Sequence, residues 1–92
     1  MIGVLNRPLR NQNVLARPGE TALILLNPRN GEYYTLDEVG GQVWNLCDGA
    51  HTVAEMVAAI SAEFDAPVTE IEADVQDLLS DLAHEQLVVE AG

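Results

Sequence analysis

The spacing of apolar residues changes once along this 92-residue chain, near Leu36. Upstream, the apolar residues form short extended runs separated by turn residues. Val14, Leu15 and Ala16 lead to a Pro18-Gly19 turn, and Ala22 to Leu26 follow as an unbroken apolar run. Pro28-Arg29-Asn30-Gly31 then supplies a hairpin turn, after which Tyr33-Tyr34-Thr35-Leu36 has the aromatic and β-branched character of a strand. Downstream, apolar residues recur at helical spacing. Three short antiparallel strands followed by three helices is the economical reading: an α+β, winged-helix-like domain with a three-stranded antiparallel sheet packed on a three-helix bundle. Residues 1–12 show no sustained period and read as an N-terminal arm, which leaves the domain over 13–90.

Three Thr-x-x-Glu boxes, 17 residues apart, punctuate the helical part: Thr35 with Glu38, Thr52 with Glu55, and Thr69 with Glu72. At the first, Asp37 competes as the N-cap because Thr35 and Leu36 already fit the strand. The first helix carries Val39, Val43, Leu46 and Cys47 on one face, with Gly49 suited to a left-handed C-terminal position. Gly40 and Gly41 sit near its start, where a close approach of backbone to the sheet is one reason to keep them. Trp44 is expected to pack across the junction of sheet and helix. Val53, Met56, Val57, Ile60 and Phe64 mark the second helix, which Pro67 ends, and Ile71, Val75, Leu78, Leu79 and Leu82 mark the third. Leu87-Val88-Val89 reads as a short strand or extended tail.

A content of 48% apolar residues argues against disorder, while a domain this small leaves about a third or more of its unfolded-state surface exposed and has little room for a deep catalytic cavity. The chain has no Lys. Its four arginines, Arg7, Arg10, Arg17 and Arg29, lie in the first 29 residues beside Glu20 alone, and residues 30–92 hold the other 14 acids with no cation. Polyanion binding is therefore disfavoured, because counterion release needs cationic side chains. The alternative function, a winged-helix DNA-binding or transcription-regulatory protein, shares the architecture but would need a basic recognition helix. An acyl carrier protein would fit the length and acidity, yet Ser80 precedes Asp81-Leu82 where an Asp-Ser-Leu attachment motif is needed.

The single Cys47 sits on an apolar stripe and reads as core, and His51 and His84 have no companion at metal-ligand spacing. No phosphate loop or nucleophile motif is visible. The expectation is no catalytic residue, no metal and no cofactor. A chain without paired cysteines, an uninterrupted N-terminal apolar stretch or about 18 consecutive apolar residues suits the cytoplasm and no membrane.

Two surfaces remain. On the third helix, steps of about 100° put Glu70, Asp74, Asp77, Asp81 and Glu85 on one flank of the apolar stripe and Ala73, Gln76, Ser80 and Ala83 on the other. The acidic row is either a solvated face or a surface that meets a basic partner. If the strands form a meander, Glu32 to Leu36 is an edge able to accept an incoming strand. The run Ala22 to Leu26, apolar on both faces, implies that the face of the sheet away from the helices is partly covered.

The hairpin Asn30-Gly31-Glu32-Tyr33-Tyr34-Thr35-Leu36-Asp37-Glu38-Val39-Gly40, the stretch Val43-Trp44-Asn45-Leu46-Cys47-Asp48-Gly49, Thr52-Val53-Ala54-Glu55, and Glu70-Ile71-Glu72-Ala73-Asp74-Val75 with Leu78, Leu79, Leu82 and Leu87 together resemble the PqqD-like family over about residues 13–90. The resemblance implies a recognition element for ribosomally synthesised, post-translationally modified peptides. Such domains bind the leader segment of a precursor peptide, antiparallel to the third strand and against the third helix, and present it to a separate modifying enzyme such as a leader peptidase or radical enzyme. Carried over by position, the leader site comprises Glu32, Tyr33, Tyr34, Thr35 and Leu36, with Val75, Gln76, Leu79 and Ala83 along the helix. The acidic row Glu70, Asp74, Asp77 and Asp81 is assigned to the partner. Tyr33-Tyr34 looks more like the stand-alone leader-binding proteins of lasso-peptide pathways than the quinone-cofactor member, with both kept open.

Overall fold

The computed structural model describes residues 6–90. Strands β2 (Leu15–Pro18), β3 (Leu23–Asn27) and β4 (Glu32–Leu36) form an antiparallel meander in the order β2-β3-β4. Helices α1 (Glu38–Leu46), α2 (Val53–Glu63) and α3 (Val68–His84) follow. The three-stranded sheet on three helices is the architecture expected from the change in apolar period. The β3–β4 register pairs Leu25 with Tyr34 and Leu23 with Leu36, so Leu25 and Leu36 point inward to meet Val43, Trp44, Met56, Ile60, Val75, Leu79 and Leu82 in one core.

Residues 8–10, read as part of an arm, form a strand instead. β1 (Pro8–Arg10) pairs antiparallel with β5 (Val88–Glu90), and this second, two-stranded sheet joins the two ends of the described chain. The Pro8 side chain is fully buried, and the Arg10 guanidinium donates from Nη1 to the carbonyls of Trp44 (3.0 Å) and Asn45 (2.7 Å). Those carbonyls belong to the last turn of α1, which has no basic residue of its own, so Arg10 satisfies acceptors the helix leaves open. A three-residue strand that begins with proline is too short to show a period. Residues 1–5 of the expected arm lie outside the described residues.

Local signals decide two of the three helix starts. Asp37, rather than Thr35, caps α1, its Oδ1 accepting from the Gly40 N–H at 2.8 Å. Thr52 and Glu55 form a reciprocal capping box on α2, with Glu55 N–H to Thr52 Oγ1 at 3.1 Å and Thr52 N–H to Glu55 Oε1 at 2.8 Å. The third box does not form. Pro67, at φ −59°, starts α3 at Val68, and Thr69 is already inside the first turn, where it cannot hold the extended backbone a cap requires.

Gly49 has φ +79°, the left-handed conformation expected just past α1. At Gly40 a Cβ would meet Leu36 Cβ at 3.1 Å, which is the close helix-to-strand approach; Gly41 has more room, its nearest such neighbour being Leu23 Cβ at 3.9 Å. Trp44 is 4% exposed and belongs to the core. The outer face of the sheet carries Leu15, Arg17, Ile24, Leu26 and Tyr33 around a small recess of about 150 Å³. Ile24 and Leu26 are half-buried among these neighbours of their own sheet, so the cover expected for that face comes from the sheet itself, while Leu15 (61%) and Tyr33 (68%) are exposed.

Candidate peptide-binding edge and groove

β4 is the last strand of its sheet, paired with β3 on one side only, so among the described residues no strand covers its other edge. The Asn27 side chain anchors the turn that begins it: Oδ1 accepts from the Arg29 N–H at 3.1 Å and Nδ2 donates to the Glu85 carbonyl at 3.2 Å, tying the end of β3 to the end of α3. Alternation along β4 turns Tyr34 and Leu36 toward the helices, Tyr34 half-buried and Leu36 buried. Tyr33 and Thr35 are exposed on the opposite face, and Glu32 is exposed at the turn end.

Two cavities line the open side of β4. One, of about 500 Å³, lies at the Leu36 end between Tyr34, Thr35, Leu36, Gly40 and Leu78, and reaches Thr21, Ala22 and the cap residue Asp37. The other, of about 230 Å³, lies between Asn27, Glu32, Tyr34, Glu85 and Leu87. Burial first, and then the negative charges of Asp81 and Glu85, hold the Tyr34 phenol above its ordinary value. Leu78, Asp81 and Glu85 are thus the residues of α3 that flank the edge.

The structure distributes the helix residues read from the sequence differently. Val75 (1% exposed) and Leu79 (0%) are in the core and line neither cavity. Gln76 and Ala83 are half-buried on the uncharged flank, about 160° and 140° around the helix from Leu78, and line neither cavity. Of the acidic row, Asp81 lies beside Tyr34 together with Glu85, while Glu70, Asp74 and Asp77 are exposed and line neither cavity. Leu78 was legible only as a member of the apolar stripe; its place at the border of stripe and acidic row is the signal that marks it as a groove residue.

Elsewhere, Cys47 and Asp48 at the end of α1 are set by their surroundings. Burial pushes the Cys47 thiol up to about 12, against a smaller opposite effect of Arg10. Asp48 accepts from the Ala50 N–H at 2.9 Å and from His51 Nδ1 at 2.9 Å, and these bonds hold its carboxyl down to about 2. Among the described residues no group of three His, Cys, Asp or Glu side chains is placed to hold a metal ion, and no helix is long and apolar enough to cross a membrane.

Comparison with known proteins follows the same lines. Residues 22–88 match the family of coenzyme PQQ synthesis protein D, PqqD. Two proteins of Rhodopseudomonas palustris strains, each named PqqA binding protein, are 40% and 38% identical over 55 residues, which is 60% of this chain. The chain spans about half the length of these curated relatives, 54% of each. Among solved structures, TbiB1 in complex with the TbiA(beta) leader peptide superposes with a TM-score of 0.77 at 30% identity, covering 87% of this chain and 93% of that one. Lasso peptide synthetase B1, complexed with its leader peptide, shares the fold at 18% identity, with a TM-score of 0.80 over 90% of this chain and 98% of that one.

Proposed function

The chain belongs to the PqqD family, and from that premise we propose that it is a non-catalytic binding module for the leader segment of a ribosomally made precursor peptide. The leader adds as an antiparallel strand to β4, over Glu32 to Leu36, with alternate side chains entering the groove between β4 and α3. The observation that carries this reading is the open β4 edge with a cavity at each end of the α3 flank. An added strand satisfies backbone groups that the meander leaves unpaired, and pockets for alternate side chains supply selectivity. The named partners of its relatives, PqqA and the TbiA(beta) leader, are peptides of the kind such an edge accepts.

The bound leader is presented to a separate modifying or processing enzyme, such as a leader peptidase or a radical enzyme. The exposed row of Glu70, Asp74 and Asp77, away from both cavities, is the surface that meets a basic patch on that enzyme. A winged-helix reading on DNA has no Lys or Arg on any of the three helices to support it.

Fluorescence anisotropy with labelled leader peptides encoded near this gene tests the reading. At least one should bind with Kd below about 100 μM, equivalent to about −5.5 kcal/mol. N-methylation of the alternate peptide amides that face β4 should abolish binding, since strand addition depends on those donors. Failure of every such peptide would overturn the proposal.

A further inference from the structure

Between the turn end of β4 and the last turn of α3, the cavity of about 230 Å³ has an aromatic wall at Tyr34, an apolar floor at Leu87, and the carboxylate side chains of Glu32 and Glu85 at its sides. Asp81 adds a third negative charge next to Tyr34. Among the described residues none of these three carboxylates has an ion-pair or hydrogen-bond partner, and α3, which carries Asp81 and is capped by Glu85, has no Lys or Arg. The Asn27 side chain, 8% exposed and satisfied at both ends, holds the β3 end and the α3 end together, so the cavity is built by the fold and is not a chance gap between mobile side chains. It is also continuous with the β4 edge, whose other end opens on the recess that Leu36, Gly40 and Leu78 line together with Thr21, Thr35 and Asp37.

We propose that this cavity seats a lysine or arginine side chain of the bound peptide, four residues C-terminal to the apolar residue that enters the Leu78 recess. The spacing follows from strand geometry. In an antiparallel pair, directly opposed residues share a face, so peptide residues opposite Leu36, Tyr34 and Glu32 all turn toward α3. The residue opposite Leu36 meets the recess, and the peptide then runs toward the turn, so the residue opposite Glu32 comes four positions later, about 13 Å along the strand. A long aliphatic stem crosses Tyr34 while the cationic head reaches the carboxylates, the amphipathic arrangement that Lys and Arg favour. A cationic head is the charge-complementary occupant of a cavity lined by Glu32 and Glu85 with Asp81 close to Tyr34.

This inference rests on the strand-addition reading, and its test separates the two. A display library of random dodecapeptides is selected against the wild-type protein, and in parallel against Glu85→Gln and the charge-reversed double variant Glu32→Lys/Glu85→Lys, each checked for folding by circular dichroism. The wild type should enrich an apolar residue followed four positions later by Lys or Arg, and replacing that residue by norleucine in a synthetic hit should weaken binding about fivefold or more at low salt, with the difference shrinking at 0.5 M salt. Glu85→Gln should blunt the preference, and the double variant should invert it to Asp or Glu. Hits that lose binding on alternate-amide N-methylation but show no basic preference would overturn this subsite and leave strand addition standing. Hits indifferent to N-methylation, or no hits, would overturn both.

Discussion

Asp48 carries the clearest pH dependence at the level of single residues. Its carboxylate accepts from the Ala50 and His51 N–H groups and from the His51 ring, and its folded value of about 2 lies below the ordinary 3.8. A depressed carboxyl contributes stability that is present above the ordinary value and lost as pH falls toward the folded one. Chemical denaturation followed from pH 5 to pH 2 should therefore lose stability mainly below pH 4, and Asp48→Asn should flatten that part of the curve. The two neighbouring glycines of α1 offer a second, paired test. Gly41→Ala adds a Cβ at ordinary contact distance and gains helix propensity, so its urea midpoint should rise by the equivalent of about 0.5–1 kcal/mol. Gly40→Ala gains the same propensity but sets its Cβ 3.1 Å from Leu36 Cβ and 3.2 Å from Asp37 Oδ1, at the cap itself, and should show no such rise.

α3 has two adjacent leucines, one buried and one at the larger cavity, and separable roles are expected of them. Leu79 is fully buried, so Leu79→Ala should cost about 2–5 kcal/mol of stability in urea denaturation while leaving leader affinity of the folded fraction unchanged. Leu78 is half-buried and lines the larger cavity, so Leu78→Ala should cost less stability and weaken peptide binding several-fold in the anisotropy titration. Val75, Gln76, Leu79 and Ala83 were carried over by position from the family resemblance, and the helical wheel offered the uncharged flank, with Gln76 and Ala83 on it, beside them. The wheel itself was sound: Ile71, Val75, Leu79 and Leu82 are the buried stripe. What it lacks is the identity of the neighbour on each side, and that neighbour on the acidic side is β4.

Across the whole molecule, charge and chain closure set the behaviour. The net charge of −11 is concentrated in the part that holds the helices, and Glu70, Asp74, Asp77 and Asp81 repel along one flank. Asp74→Asn/Asp77→Asn/Asp81→Asn should keep or raise the thermal midpoint. Stopped-flow association with the partner enzyme should slow and lose salt dependence, with dissociation little changed, because exposed charges act mainly on encounter. Closure is the second global feature. β1 pairs with β5, Pro8 is buried, and Arg10 bonds the end of α1, so removal of residues 1–12 should lower the thermal midpoint by several degrees or more. A truncated protein as stable as the full chain would show that the two-stranded sheet contributes nothing.

The strands β2 to β4, the hairpin at Asn30-Gly31, the capping box at Thr52, and most of the buried faces of α2 and α3 were determined by the sequence alone. Each rests on residues within one or two turns of each other, where apolar period and cap chemistry act directly. The resemblance carried by Asn30 to Gly40 and by the third-helix motif led likewise to the PqqD family. Only the tertiary structure decided that Pro8 to Arg10 pair with residues about 80 positions away, and that the acidic rather than the uncharged flank of α3 lies along β4. Both depend on contacts between residues far apart in the chain around one shared core, a packing choice made by many distant side chains at once and written in no single stretch of the chain.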